Sequence, residues 1–389
     1  MICRCPECNG ALEYNPSMQN LTCKFCGNFF RPDKVNKDSL NDGVSGESDI
    51  KKEVMECKIY TCTSCAGELV VNDIEMSTFC PYCGQPTIVF DRVSKEEKPK
   101  YIIPFSISKE EAAENIRLKL KYSNMCPKRV KQVNEEQIKG IYVPYYLMNL
   151  YYYDKQKIRV ENEHGFPRFF DREAECEFVN VPCDASFALP DELSQGVDPF
   201  DLKQLKLFDE SYLSGFYADM FNGSEAQMEY AVWKRCEAWF NENMKKSCSP
   251  RNNDKVIIEE SQPKVQIRSH EYALMPIYFY TFPYKNSFYT IIVNGQTGKE
   301  AGILPIQMSK LIFCYISVFL GFCGAISPFA YRIAISPWEE SIMFLLCVWC
   351  LTIIILGFGL YFLNRVIDKI KYSRNNKLAK LVRERQERS

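Results

Sequence analysis

Two apolar stretches stand out near the end of an otherwise mixed chain. Leu311 to Tyr331 and Ser341 to Leu363 run for 21 and 23 residues without a charge. At about 1.5 Å per residue, each would span roughly 31 to 35 Å as a helix, enough to cross a hydrocarbon core of about 30 Å. The pattern predicts transmembrane helices at 310–332 and 341–363, joined by a short external loop at 333–340. The tail, 364–389, carries nine Lys or Arg, whereas the connector from Arg332 to Glu340 carries one. Cytoplasmic flanks hold the Lys/Arg excess, so the tail is placed inside, and two spans return the N-terminal part to the same side. The expected location is the cell membrane, with two spans and both termini cytoplasmic. The lipid bilayer is then one partner.

The preceding region, 92–305, mixes helical and strand periods and reads as an α+β cytosolic domain. Ser108-Lys-Glu-Glu111 is a capping box, and Ala112, Ala113, Ile116 and Leu120 follow at helical spacing. Ser224-Glu-Ala-Gln227 opens a second helix, with Met228, Val232, Trp239 and Phe240 as its buried stripe. Strands are expected at Ile141 to Tyr153, Glu173 to Val181, Glu271 to Phe282 and Ser287 to Val293. Asn294-Gly295 marks a turn after the last of these. Ser94 to Lys100 reads as a charged linker into this domain.

The first ninety residues hold the most specific pattern. Cys5-Pro-Glu-Cys8 and Cys23-Lys-Phe-Cys26 are separated by fourteen residues, as are Cys62-Thr-Ser-Cys65 and Cys80-Pro-Tyr-Cys83. Every cysteine recurs at an offset of 57, and so do Gly10 with Gly67, Leu12 with Leu69 and Gly27 with Gly84. This is an internal duplication. Each copy reads as a zinc ribbon, in which two knuckles hold one tetrahedral ion through four thiolates. The expected units are ribbon 1 at 1–32, a flexible linker at 33–56 and ribbon 2 at 57–91. Zn²⁺ is the expected ion at both sites. Iron in a rubredoxin-like site is the rival, with a longer separation of the pairs and more aromatic cover. Four protein ligands leave no open position, so the metal's role is structural. Cys3 and Cys57 fall outside the repeat.

Charge narrows the partners. Residues 1–90 hold eight Lys or Arg and twelve Asp or Glu, and each tetrathiolate Zn²⁺ adds about −2. Nucleic acid is held by basic surfaces that displace counterions, so this acidic region favours protein contact over nucleic acid. Catalysis has little to build on. The chain has only His164 and His270, neither in an acid–base motif. Gly298-Lys299 lacks the Gly five positions earlier and the Ser or Thr after Lys that a phosphate-binding loop needs, because Val293 and Glu300 stand there. Cys126, Cys176, Cys183, Cys236 and Cys248 read as buried thiols.

The whole chain resembles a bacterial family described as TFIIB-type zinc-ribbon-containing membrane proteins. The likeness rests on the Cys5/Cys8/Cys23/Cys26 ribbon, Ile103-Pro-Phe-Ser, Gly140-Ile-Tyr-Val-Pro144, Tyr212-Leu-Ser-Gly-Phe216 and Val293-Asn-Gly-Gln-Thr-Gly-Lys299. Members are loosely labelled helicase-related, and no ATPase motif here supports that label. The resemblance implies a membrane platform for envelope-stress partners. The resulting expectation is a non-enzymatic, membrane-anchored adaptor: tandem β ribbons and an α+β head that bind cytosolic or membrane-associated proteins. A membrane-tethered nucleic-acid-binding protein is the alternative.

Overall fold

The computed structural model describes residues 3–35, 53–64, 67–71, 80–85, 88–123, 125–161, 166–186, 191–219, 225–249, 255–285, 287–302 and 304–307, and scattered positions beyond. In chain order the strands of the N-terminal part are β1 (Leu12–Asn15), β2 (Asn20–Cys23) and β3 (Phe29–Phe30). The short helix α1 (Pro32–Val35) precedes β4 (Val54–Cys62), β5 (Glu68–Val71), β6 (Ile88–Glu97) and β7 (Tyr101–Ile102). Helix α2 (Lys109–Tyr122) leads to the long strands β8 (Ile138–Glu161) and β9 (Arg168–Asp184), and helix α3 (Asp191–Val197) follows. Next come β10 (Lys206–Leu207), β11 (Tyr217–Asp219) and the helix α4 (Glu225–Cys248). The last strands are β12 (Lys255–Ser261), β13 (Lys264–Tyr284), β14 (Ser287–Asn294) and β15 (Glu300–Gly302).

The first three strands form a small antiparallel sheet. All the others join one twelve-stranded mixed sheet whose main path runs β10-β7-β13-β8-β11-β5-β4-β6. The fold is therefore mostly β, which corrects the expected architecture of small ribbons, a separate α+β head and a membrane hairpin. Residues 94–97, expected as linker, continue β6 and pair with β4. Strands of the second thiol-bearing unit are thus built into the main sheet, not strung beside it.

The expected membrane hairpin is also corrected. Among the described residues no helix is long and apolar enough to cross a membrane. Of 310–332 only scattered helical positions are described, and of 341–363 only Tyr361; the rest of both segments, with 333–340 and 364–389, lies outside the described residues. An uncharged run specifies burial of apolar surface, which protein and lipid both supply, so length alone did not secure the assignment. The membrane location drawn from that hairpin is overturned with it.

β8 organises the sheet. Ile141 to Met148 are buried without a break, because both faces of the sheet are covered there. From Leu150 to Val160 burial alternates, since only one face is covered. Pro144 lacks an amide hydrogen, and it falls where the neighbour on one side changes from β11, paired at Tyr142, to β9, paired at Tyr145. The proline-bearing segments at 144 and 276 lie side by side in antiparallel register, Leu274 opposite Pro144 and Pro276 opposite Tyr142.

Side chains of the two faces feed two cores. On one, Tyr142, Tyr146, Leu150 and Tyr152 pack with α2 and α4, through Ala112, Ala113, Ile116 and Leu120 and through Met228, Val232, Cys236, Phe240 and Met244. The α2 residues are those the sequence marked, held in phase by the Ser108–Glu111 capping box. Trp239, expected in the α4 stripe, is instead half-exposed, since burial follows a strict four-residue step from Met228 through Cys248. On the other face, Ile141, Val143, Tyr145 and Leu147 pack with α3 and with Cys62, Cys80, Tyr82 and Cys83.

Candidate metal centres

Each knuckle is a tight turn whose backbone geometry repeats. The Cys5 amide donates to the Gly10 carbonyl at 2.8 Å and the Asn9 amide to the Cys5 carbonyl at 2.9 Å. Cys23 and Asn28 are joined in the same way at 3.0 Å, and Gly27 and Cys23 at 2.9 Å. In the second copy Cys80 donates to Gln85 at 2.8 Å, Gly84 to Cys80 at 2.7 Å and Cys62 to Gly67 at 2.9 Å. The fourth residue after the first cysteine must turn left-handed: Asn9, Gly27 and Gly84 have φ of 59°, 76° and 71°. Glycine and asparagine are the residues that adopt that conformation at low cost.

These turns bring the sulfurs of Cys5, Cys8, Cys23 and Cys26 within 4.8 Å of one another, and likewise those of Cys62, Cys80 and Cys83. Cys65 lies outside the described residues. The Cys5–Cys26 and Cys62–Cys83 sulfurs are 3.6 Å apart and the Cys8–Cys23 sulfurs 3.4 Å. A disulfide needs about 2.05 Å. Four thiolates about 2.3 Å from one tetrahedral ion lie about 3.8 Å apart, close to what is seen. Both groups can therefore hold a metal ion. Gly10 shows how closely the first is built: a methyl group there would lie 3.3 Å from the sulfurs of both Cys8 and Cys23.

Four adjacent thiols cannot all ionise without a cation. Hydrogen bonding from the Cys26 amide pulls Cys23 down to about 6, with desolvation opposing and the Phe25 amide assisting. Cys26 moves up to about 12: the Asn28 amide lowers it, but desolvation and the thiols of Cys8, Cys23 and Cys5 outweigh that pull. The Cys23 thiolate is thus the form favoured to receive a cation.

The two groups differ in setting. In the first, Cys5 and Cys23 are buried while Cys8 and Cys26 are exposed. Its hairpin is fastened to the main body through Tyr14, which meets Tyr212 edge to face at 5.3 Å, and through the Gln19 side-chain amide, which donates to the Phe105 carbonyl at 2.7 Å. In the second, Cys62, Cys80 and Cys83 are all buried in the main core.

His270 sits edge-on to Tyr146, with ring centroids 5.3 Å apart, and His164 lies outside the described residues. Gly298 closes a turn by donating to the Asn294 carbonyl at 2.9 Å, and the Lys299 ammonium donates to the Asp198 carbonyl. Cys57 lines a cavity of about 80 Å³ beside Glu97, Asp219 and Tyr272, and burial pushes its thiol up to about 11. A thiol so shifted is a poor nucleophile at neutral pH. The sequence set Cys57 outside the repeat but did not mark the cavity, because its walls come from strands far apart in the chain.

Across most of its length the chain is similar to the uncharacterised protein YdjG of Bacillus subtilis (strain 168). The two are 25% identical over 323 residues, which is 79% of this chain and 91% of that protein. No family model matches the chain, and no solved structure matches it. The expected membership of a TFIIB-type ribbon family thus narrows to this distant similarity together with two thiol groups that can hold metal.

Proposed function

We propose that this protein is a non-enzymatic scaffold, in which two tetrathiolate Zn²⁺ sites hold a pair of knuckled units that present a surface to a protein partner. The ligands are Cys5, Cys8, Cys23 and Cys26 at one site and Cys62, Cys65, Cys80 and Cys83 at the other. The observation that carries this reading is the four-sulfur group at the first site. An all-thiolate set saturates Zn²⁺ and leaves no position for water or substrate, so the ion contributes folding energy and not chemistry. The acidic charge of residues 1–90 supports protein contact in preference to nucleic acid. Cross-linking with a lysine-reactive reagent in cells that carry the intact chain tests the reading. A protein partner is expected with the wild-type chain and is expected to be lost with Cys5→Ser or Cys62→Ser. Recovery of no protein, or salt-sensitive binding of DNA or RNA in its place, contradicts it.

A further inference from the structure

The two thiol-bearing units are copies, yet their second knuckles have different surroundings. The offset of 57 sets Phe25 against Tyr82, Lys24 against Pro81 and Gly27 against Gly84. In the second copy the knuckle is docked on the main sheet. Tyr82 is 3% exposed and meets Phe279 edge to face, with ring centroids 5.8 Å apart. Thr281, on the same face of β13 two residues on, donates its hydroxyl to the Pro81 carbonyl at 2.9 Å. A methyl group on Gly84 would stand 3.5 Å from the Thr281 carbonyl oxygen and 4.0 Å from the Phe288 ring.

In the first copy the same turn has no such cover among the described residues. Phe25 is 87% exposed, and no described atom lies within 4 Å of where a methyl group on Gly27 would stand. The backbone hydrogen bonds of the two knuckles match, Gly27 to Cys23 at 2.9 Å and Gly84 to Cys80 at 2.7 Å, so the shapes are alike and only the cover differs. The fastening through Tyr14 and Gln19 engages a different part of the ribbon. An exposed phenylalanine on a metal-stiffened turn loses little entropy on contact, which suits it to anchor an interface. The same ribbon also exposes Phe29 and Met18.

We infer that the Phe25 knuckle docks onto the β-sheet of a partner protein, which offers it what β13 offers Tyr82: an aromatic ring and, two residues along one strand, a threonine or serine hydroxyl. This rests on the protein-binding reading above and names the class of its partner. A second copy of this chain does not supply that surface, because each copy's Phe279 is taken by its own Tyr82 and its Thr281 hydroxyl by its own Pro81.

The test places the photo-cross-linking residue p-benzoylphenylalanine at position 25 of the full chain, in cells that carry it, and maps the adduct by mass spectrometry. The expected adduct is one partner protein, joined within a strand that carries an aromatic residue and a Thr or Ser two positions apart. In the purified pair, Phe25→Ala is expected to weaken binding by about tenfold or more, while Phe25→Tyr retains it and both variants keep their metal. No protein adduct at position 25, an adduct to a second copy of this chain or to nucleic acid, or attachment at unrelated surfaces overturns the inference. If lysine cross-linking finds a partner while position 25 finds none, the scaffold reading stands and the Phe25 surface falls. If neither finds a protein, both fall.

Discussion

Thr281 donates its hydroxyl to the carbonyl of Pro81 across 200 residues of sequence, at 2.9 Å. This bond and the Tyr82–Phe279 contact beside it tie a thiol-bearing turn to the centre of the main sheet. Tyr82→Ala is therefore expected to destabilise the fold by about 3–5 kcal/mol, the usual cost of removing a large buried aromatic side chain. Thr281→Val should cost less, about 2 kcal/mol, as the hydrogen bond to Pro81 and the one shared with Thr290 at 3.1 Å are both lost. Denaturant unfolding of the two variants checks the order, which a Tyr82 that merely rests on the surface would reverse or erase.

The unequal burial of the two thiol groups predicts unequal metal release. Cys8 and Cys26 are exposed, whereas Cys62, Cys80 and Cys83 are buried. A chelator titration followed by a colorimetric zinc indicator should show one ion leaving first, with the main sheet intact by circular dichroism. Cys26→Ser should lose that first ion and little global stability. Cys80→Ser should lose the other ion and destabilise the main sheet as well, because Cys80 belongs to its core.

How much of this was legible in the sequence depended on distance along the chain. The Ser108–Glu111 capping box closes within one turn, with the Glu111 amide 3.2 Å from the Ser108 hydroxyl, so local pattern sufficed. The cysteine spacing was equally local, and the sulfurs of Cys5, Cys8, Cys23 and Cys26 lie within 4.8 Å of one another. The α4 stripe was half legible: Met228, Val232 and Phe240 are buried, but Cys236, read as a buried thiol without a place on the helix, takes the position on the stripe that Trp239 was given. What pairs with what was not legible. The partners of β4 include β6 through residues that looked like linker, because Ser94, Lys95, Glu96 and Glu97 are polar and only the pairing with Val54 to Cys57 makes them a strand. The apolar runs near the end were read for their length, a signal that lipid and protein burial share.

Gly10 carries a sharp local prediction. A methyl group there would crowd the sulfurs of Cys8 and Cys23 at 3.3 Å and the Phe25 Cβ at 3.0 Å. Gly10→Ala should weaken metal binding at the first site by about tenfold or more, since ligand geometry must shift to admit it. Competition against a zinc-binding dye measures this, and Gly27→Ala serves as a contrast, strained by its φ of 76° but clear of the sulfurs.

The shift of Cys23 fixes a pH dependence. Its folded value near 6 lies below the ordinary thiol value of 9.0. A lowered thiol stabilises the metal-free fold above its unfolded value, and that contribution is lost as pH falls through about 6. Cys23 is thus largely ionised at pH 7, and an ion bound at the first site should release no proton from it there. The number of protons released should rise by up to about one below about pH 6, where affinity falls more steeply with acid. Calorimetry in two buffers of different ionisation heat, on protein stripped at the first site alone, counts the protons.

Zinc-edge X-ray absorption on the purified full-length chain, with its metal content measured on the same sample, goes straight to the metal sites on which the scaffold reading depends. The expected result is two zinc ions per chain, each with four sulfur neighbours at about 2.3 Å and no nitrogen or oxygen neighbour. A single ion, none, or a mixed sulfur and oxygen shell with an open position would contradict it, and the last of these would make the site a candidate for zinc catalysis.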